Sequence, residues 1–421
     1  MTNQIRLRSS RGDARGQAPS RFPNTGTTPR RGNSLCTRWI ALALAALPLC
    51  AFAVSAIQAA RDDEVLEVLP AVTRSRPARA VSPAQTGDPA AAALRARQDI
   101  GLARQTGDTR HWGRAQAVLA PWWDRADAPP DLAVLQATVQ QGRHEFVAAR
   151  GILASVLARA PGHAQAWLTL AALERLSARY AESFDACDAV ARAGQAFYAA
   201  ACRLETRSLQ GQRAAQGLRS LLDQTDDNEQ RSWLLSLLAE SLERVGSDAR
   251  AADAYRRSLA LGSDLYTAIA YSDLLLRSGK SSLALRVLSE LPETDAVLLR
   301  RAAAWRRLGD RRWSGALALL KERKAELLRR GDDPELHGRE LALTALWLED
   351  DAVSALQLAR RNLLLQREPL DWWVAVQSAC EAKDDAASLE IAEAIRAAGL
   401  HDVRLAWRRQ GFAQSARKQA M

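Results

Sequence analysis

The chain of 421 residues is 48% apolar and 25% charged, which excludes wholesale disorder, and its five cysteines are too few to staple a miniprotein. The formal net charge of +10 belongs mostly to residues 1–38, where Arg6, Arg8, Arg11, Arg15, Arg21, Arg30, Arg31 and Arg38 stand against Asp13 alone. The rest of the chain is close to balanced, so the basic character reads as topology information rather than as a nucleic-acid footprint.

Residues 1–38 therefore form a basic, disordered n-region. Trp39 to Ala60 carries no charge, and at ~1.5 Å per residue a helix of this length reaches the ~30 Å of a bilayer core. With arginines before it and Asp62 and Asp63 after it, the positive-inside rule leaves the N-terminus in the cytoplasm and exports the remainder. The segment is a signal peptide or a signal-anchor helix. Small residues at Ala51 and Ala53, and at Val54 and Ala56, suit signal peptidase, whereas lipidation at Cys50 is disfavoured by Leu49. Residues 61–95 hold Pro70, Pro77, Pro83 and Pro89 among small and polar residues and read as a flexible linker.

From about residue 96 to 405 the chain repeats. Ala164 to Phe197 places Trp167, Leu170 and Ala171 at positions 4, 7 and 8 of a frame, with Tyr180 at 17 and Ser183 at 20. A frame from Pro130 gives Ala137, Phe146, Ala149, Leu153 and Pro161, one from Ala96 gives Ala103, Trp112, Ala115 and Leu119, and one from Ser232 gives Ala239, Leu242, Gly246, Ala251 and Tyr255. The frame from Tyr198 is weaker, with Glu205 at position 8 and Gly217 at position 20. Further units begin near Leu265, Asp295, Leu336 and Leu370, for eight or nine in all, with an irregularity around 310–335 and a short tail over 406–421. Small residues at positions 8 and 20 let two helices of a hairpin approach to the ~8–10 Å of packed helices. The large apolar residues between them give each helix one buried stripe.

This 34-residue pattern resembles the tetratricopeptide repeat. The resemblance implies an all-α, right-handed superhelical solenoid of helix-turn-helix units, stabilised by stacking of neighbours. It also implies protein partners held on the concave surface, which here would be lined by Arg175, Arg203, Trp233, Glu240, Glu243, Arg244, Tyr266, Asp273 and Arg277. A second candidate is the basic stretch 300–330 at the irregular unit, with Arg300, Arg301, Arg306, Arg307, Arg311 and Arg312 foremost, where an anionic glycan, a lipid headgroup or other membrane surface, or an acidic protein would fit.

Motifs of catalysis are missing: there is no P-loop, no G-x-G-x-x-G and no G-x-S-x-G, and His337 with Glu340 lacks the further ligands of a metal site. No cofactor or metal is expected. Cys187 and Cys202 fall on adjacent helices in this frame, compatible with a disulfide or with two buried thiols. The expectation is an exported, periplasmic, non-catalytic scaffold that binds a protein partner in envelope assembly or secretion. Capture of an anionic glycan or lipid is the alternative, and an enzyme site inside the solenoid is the remotest reading.

Overall fold

Helix starts in this chain are set by short capping side chains and prolines. Asp88 accepts a hydrogen bond from the Ala90 amide at 2.9 Å and Pro89 occupies the first turn, so the first helix begins there. Residues 89–95, expected in the linker, are thus part of that helix, with Ala92 and Ala93 already buried. Proline at the first position fixes the backbone angle a helix needs, which composition alone reads as a tether. Asp227, Asp264, Thr294, Asp351 and Asp384 cap later helices in the same way.

The computed structural model describes residues 87–329 and 337–405, which all belong to one contact unit. The leader, the linker before residue 87, residues 330–336 and the tail 406–421 lie outside the described residues. The described residues form nine helical hairpins and no strand. In order they are α1 (Pro89–Thr106) with α2 (Arg110–Leu119), α3 (Pro130–Gly142) with α4 (Phe146–Arg159), and α5 (Ala164–Leu176) with α6 (Tyr180–Arg192). Next come α7 (Ala196–Leu209) with α8 (Ala215–Leu222), α9 (Asn228–Arg244) with α10 (Asp248–Leu261), and α11 (Leu265–Arg277) with α12 (Ser281–Leu288). The last three are α13 (Asp295–Arg307) with α14 (Arg312–Arg329), α15 (Gly338–Leu348) with α16 (Ala352–Leu365), and α17 (Pro369–Glu381) with α18 (Asp385–Ala397). The irregularity near 310–335 is a lengthened second helix, α14, of 18 residues.

Crossing residues within hairpins are small and sealed: Ala137 with Ala149, Ala171 with Ser183, and Ala239 with Ala251 are all 0% exposed. The turn between the two helices takes a left-handed residue, Gly246 in the fifth hairpin (φ 74°) and Gly279 in the sixth (φ 71°). Hairpins two and three place His144 and Ala178 there instead, at φ 64° and 56°. A continuous apolar core runs from Leu168 to Leu405, through hairpins three to nine, whereas hairpins one and two carry two smaller cores.

The stack winds back on itself, and it does so with a regular offset. The turn of the first hairpin, at Gly107, sits on Thr294, ahead of the seventh hairpin. His144, in the turn of the second, lines the same cavity as Arg339 and Glu340, which open the eighth hairpin. The Arg367 amide, ahead of the ninth, donates to the Leu176 carbonyl at the end of α5 at 2.7 Å. Past the ninth hairpin, the His401 amide donates to the Leu209 carbonyl at 2.8 Å, and Arg404 pairs with Glu243 at 3.3 Å. The turns of hairpins one to four therefore meet the chain six hairpins further along, and the fifth meets the same terminal segment as the fourth. Cys187 and Cys202 form a disulfide that joins α6 to α7, settling the alternative left by their spacing.

Candidate binding cavity

The first helices of successive hairpins face inward and, with α14 and α16, surround a cavity of about 1300 Å³. Seven of the nine residues expected on the concave surface line it: Arg175, Glu240, Glu243, Arg244, Tyr266, Asp273 and Arg277. The other two do not. Arg203 pairs with Asp188 at 2.5 Å, and Trp233 is buried against Tyr198 with ring centres 6.0 Å apart. Position along a helix predicts the inward face, but Trp233 at the N-terminal end of α9 is reached by the neighbouring hairpin and joins the core.

The lining residues form a ladder of ion pairs. Arg175 meets Glu205 at 2.8 Å, and Arg244 reaches Ser208 at 2.7 Å and Glu240 at 3.5 Å. Tyr266 donates its hydroxyl to Glu240 at 2.8 Å. Glu243 accepts from Arg277 at 2.5 Å, from Tyr255 at 3.1 Å and from Arg404 at 3.3 Å. Arg300 holds Asp273 with two bonds of 2.8 and 2.9 Å, and Arg339 holds Asp371 and Glu368 on the far wall. Burial pushes the Glu240 carboxyl above its ordinary value, against the Arg244 guanidinium and the Tyr266 hydroxyl that pull it down. Burial and the neighbouring carboxylates push the Tyr255 and Tyr266 phenols well above theirs, so both stay protonated donors.

Two of the lining arginines are incompletely satisfied. Arg175 and Arg244 are 7% and 4% exposed, and the Nε of each has no hydrogen-bond partner among the described residues. A buried guanidinium N–H without an acceptor carries an unfavourable desolvation cost. Glu205, Tyr255, Arg339, Glu368 and Arg404 belong to the same wall and were not read from the sequence. Glu205 had one legible signal, a carboxylate at the position where the repeat calls for a small residue. Arg404 had none, because its partner Glu243 is 161 residues away.

The basic stretch is not a free cation cluster. Arg300 is 1% exposed and lies in the ladder. Arg301 donates to the carbonyls of Leu288, Ser289 and Leu291 around the end of α12. Arg306 pairs with Asp350 at 2.5 Å and lies over the Trp313 ring, and Arg312 pairs with Asp310 at 2.6 Å and lies over Trp305. Arg307 donates to the Leu276 carbonyl at 2.5 Å and stacks on Trp347. Arg311 is exposed. The run sits at a hairpin turn, where carboxylates and helix-end carbonyls of the adjacent hairpins take up its charges.

Among the described residues no group of three or more His, Cys, Asp and Glu is placed to hold a metal ion, and no helix is long and apolar enough to cross a membrane. No protein-family model and no curated protein matches the chain. A chain in the crystal structure of the APC/C hetero-tetramer Cut9–Hcn1 is similar at 15% identity and a TM-score of 0.46, over 73% of this chain and 63% of that one. This chain thus spans less than two thirds of that relative's length. The P58(IPK) TPR domain is similar at 16% identity and a TM-score of 0.23, over 77% of this chain and 99% of that one. By the 34-residue frame of the first five hairpins, the small residues where Ala137, Ala171 and Ala239 cross their partner helices, and the left-handed turn in every hairpin, the described residues are tetratricopeptide-like.

Proposed function

We propose that the protein is a non-catalytic scaffold that holds a segment of a partner polypeptide in the cavity of a right-handed superhelix. The observation that carries this is the wall itself, where guanidinium and carboxylate groups alternate and the Nε of two buried arginines lacks an acceptor. A polypeptide supplies carbonyl oxygens and side chains of both signs, which match such a wall better than an apolar ligand does. The leader supports export to the periplasm, with the helix cleaved or kept as an anchor. The disulfide supports the same compartment, since such bonds persist in oxidising surroundings. A role in envelope assembly or secretion fits that location.

The test is site-specific photo-crosslinking in envelope preparations, with a benzophenone residue at Tyr266 inside the cavity and at Val147, 82% exposed, outside it. A discrete, protease-sensitive adduct from position 266 and none from 147 is expected. Adducts from both positions alike, or from neither, overturn the reading.

A further inference from the structure

The contacts that close the winding differ between its two ends. At hairpins three and four they are main-chain hydrogen bonds, Arg367 to Leu176 and His401 to Leu209, and at hairpin five Arg404 reaches Glu243. These hairpins also share one continuous core with the segment that lies on them. At hairpin one the contact is slighter, α1 meeting α11 and the glycine turn resting on a threonine: a Cβ added at Gly107 would stand 2.4 Å from the Thr294 Cγ2 and 3.3 Å from a Leu265 methyl. Leu265 belongs to a small cluster with Leu288 and Val297, separate from the main core. Hairpins one and two have their own two small cores, and α5 is the element on which the second of these meets the main one.

The cavity wall includes Thr138, Gln141 and His144 of hairpin two on one side and residues of hairpins six to eight on the other. A segment entering from the side must pass between them. We infer that hairpins one and two form a jaw that swings on α5, lifts Gly107 off Thr294 and opens the cavity laterally. Hairpins three to nine form the fixed body. The closed arrangement is the resting state, and a long polypeptide enters without having to thread its end through the winding. This rests on the cavity being the place where the partner lies.

The test uses the full chain and no partner, so its failure leaves the crosslinking result untouched. In the variant Gly107→Cys with Thr294→Cys, a Cβ at residue 107 would lie 3.4 Å from that of residue 294, close enough for a disulfide to lock the jaw. Hydrogen exchange is followed in the peptide 138–146, on the jaw but away from the lock, and in 396–405, on the body. Oxidation of the lock is expected to slow exchange in 138–146 at least ten-fold relative to the reduced variant and to leave 396–405 unchanged. Gly107→Arg, a wedge against Thr294, is expected to speed exchange in 138–146 at least ten-fold with 396–405 again unchanged. Equal exchange of 138–146 in the oxidised and reduced lock overturns the inference. So does a wedge that moves neither peptide, or a lock that fails to oxidise in a protein that melts like wild type.

Discussion

The fourth and fifth hairpins occupy the same frame and solve the same packing problem differently. In the fifth, α9 and α10 cross at Ala239 and Ala251, both sealed from solvent. In the fourth, Glu205 stands at the first of these positions and turns inward to Arg175. The close approach is recovered by Gly217, where a Cβ would come within 2.6 Å of a Leu204 methyl. The fourth hairpin also has a second helix of only 8 residues and is tied to its predecessor by the Cys187–Cys202 disulfide. The period of a repeat thus survives when its steric rule is given up for a buried ion pair, provided glycine and a covalent tie replace what is lost.

The contrast breaks most visibly if the fifth hairpin is given a charge. Ala251→Arg forces a guanidinium into a crossing with no room and no partner, and is expected to cost more than about 4 kcal/mol in urea unfolding. A melt indistinguishable from wild type would mean that the crossing is misassigned. In the fourth hairpin Glu205→Ala restores the small residue but strands Arg175, at a cost of about 3 kcal/mol. Adding Arg175→Met should return the stability to within about 1 kcal/mol of wild type, because an apolar pair replaces a buried ionic one. If the double variant is no better than the single, the ion pair is not what position 8 was surrendered for.

Smaller effects sharpen the comparison. Cys187→Ala with Cys202→Ala removes a tie across a separation of 15 residues, and the chain-entropy argument gives a loss of about 2–3 kcal/mol, read as a lower urea midpoint. The smallest concerns the inner face of the fifth hairpin. Because burial raises the Glu240 carboxyl above its ordinary 4.5, the folded chain holds that proton where the unfolded chain has lost it. Stability from the neutral form is present below pH 4.5 and fades as the pH climbs through the folded value. Glu240→Gln keeps a neutral side chain at every pH. It should therefore gain on wild type by less than about 1 kcal/mol as the pH rises through that window, measured by parallel melts.

Much of this architecture is legible in the sequence. Ala137 with Ala149 and Ala239 with Ala251 have a steric cause that recurs every 34 residues, so the hairpins can be counted from the chain. The inward positions of Glu240, Glu243 and Asp273 come from the same frame, as do Arg244, Tyr266 and Arg277, which pair with the two glutamates. Arg300 and Arg404, which pair with Asp273 and Glu243, do not. Arg300 reads as a surface cation and is the largest of the fully buried side chains, because Asp273 waits on the preceding hairpin. Arg404 and Arg367 find their seats through the summed rotation of five and six hairpins, a quantity that no local pattern encodes. The charge run at 300–312 misleads for a related reason: at a turn between stacked hairpins, helix ends and carboxylates absorb what a lone helix would expose to water.

The six-hairpin offset has a consequence for how such a chain can change. An open array tolerates the loss or duplication of one unit, since each touches only its neighbours. Here the Leu176 and Leu209 carbonyls are claimed by Arg367 and His401, far along the chain. One hairpin more or less between them would bring every later loop to the wrong seat at once. Growth and shortening are then confined to the two ends, and the interior is fixed in number as firmly as the strands of a closed barrel.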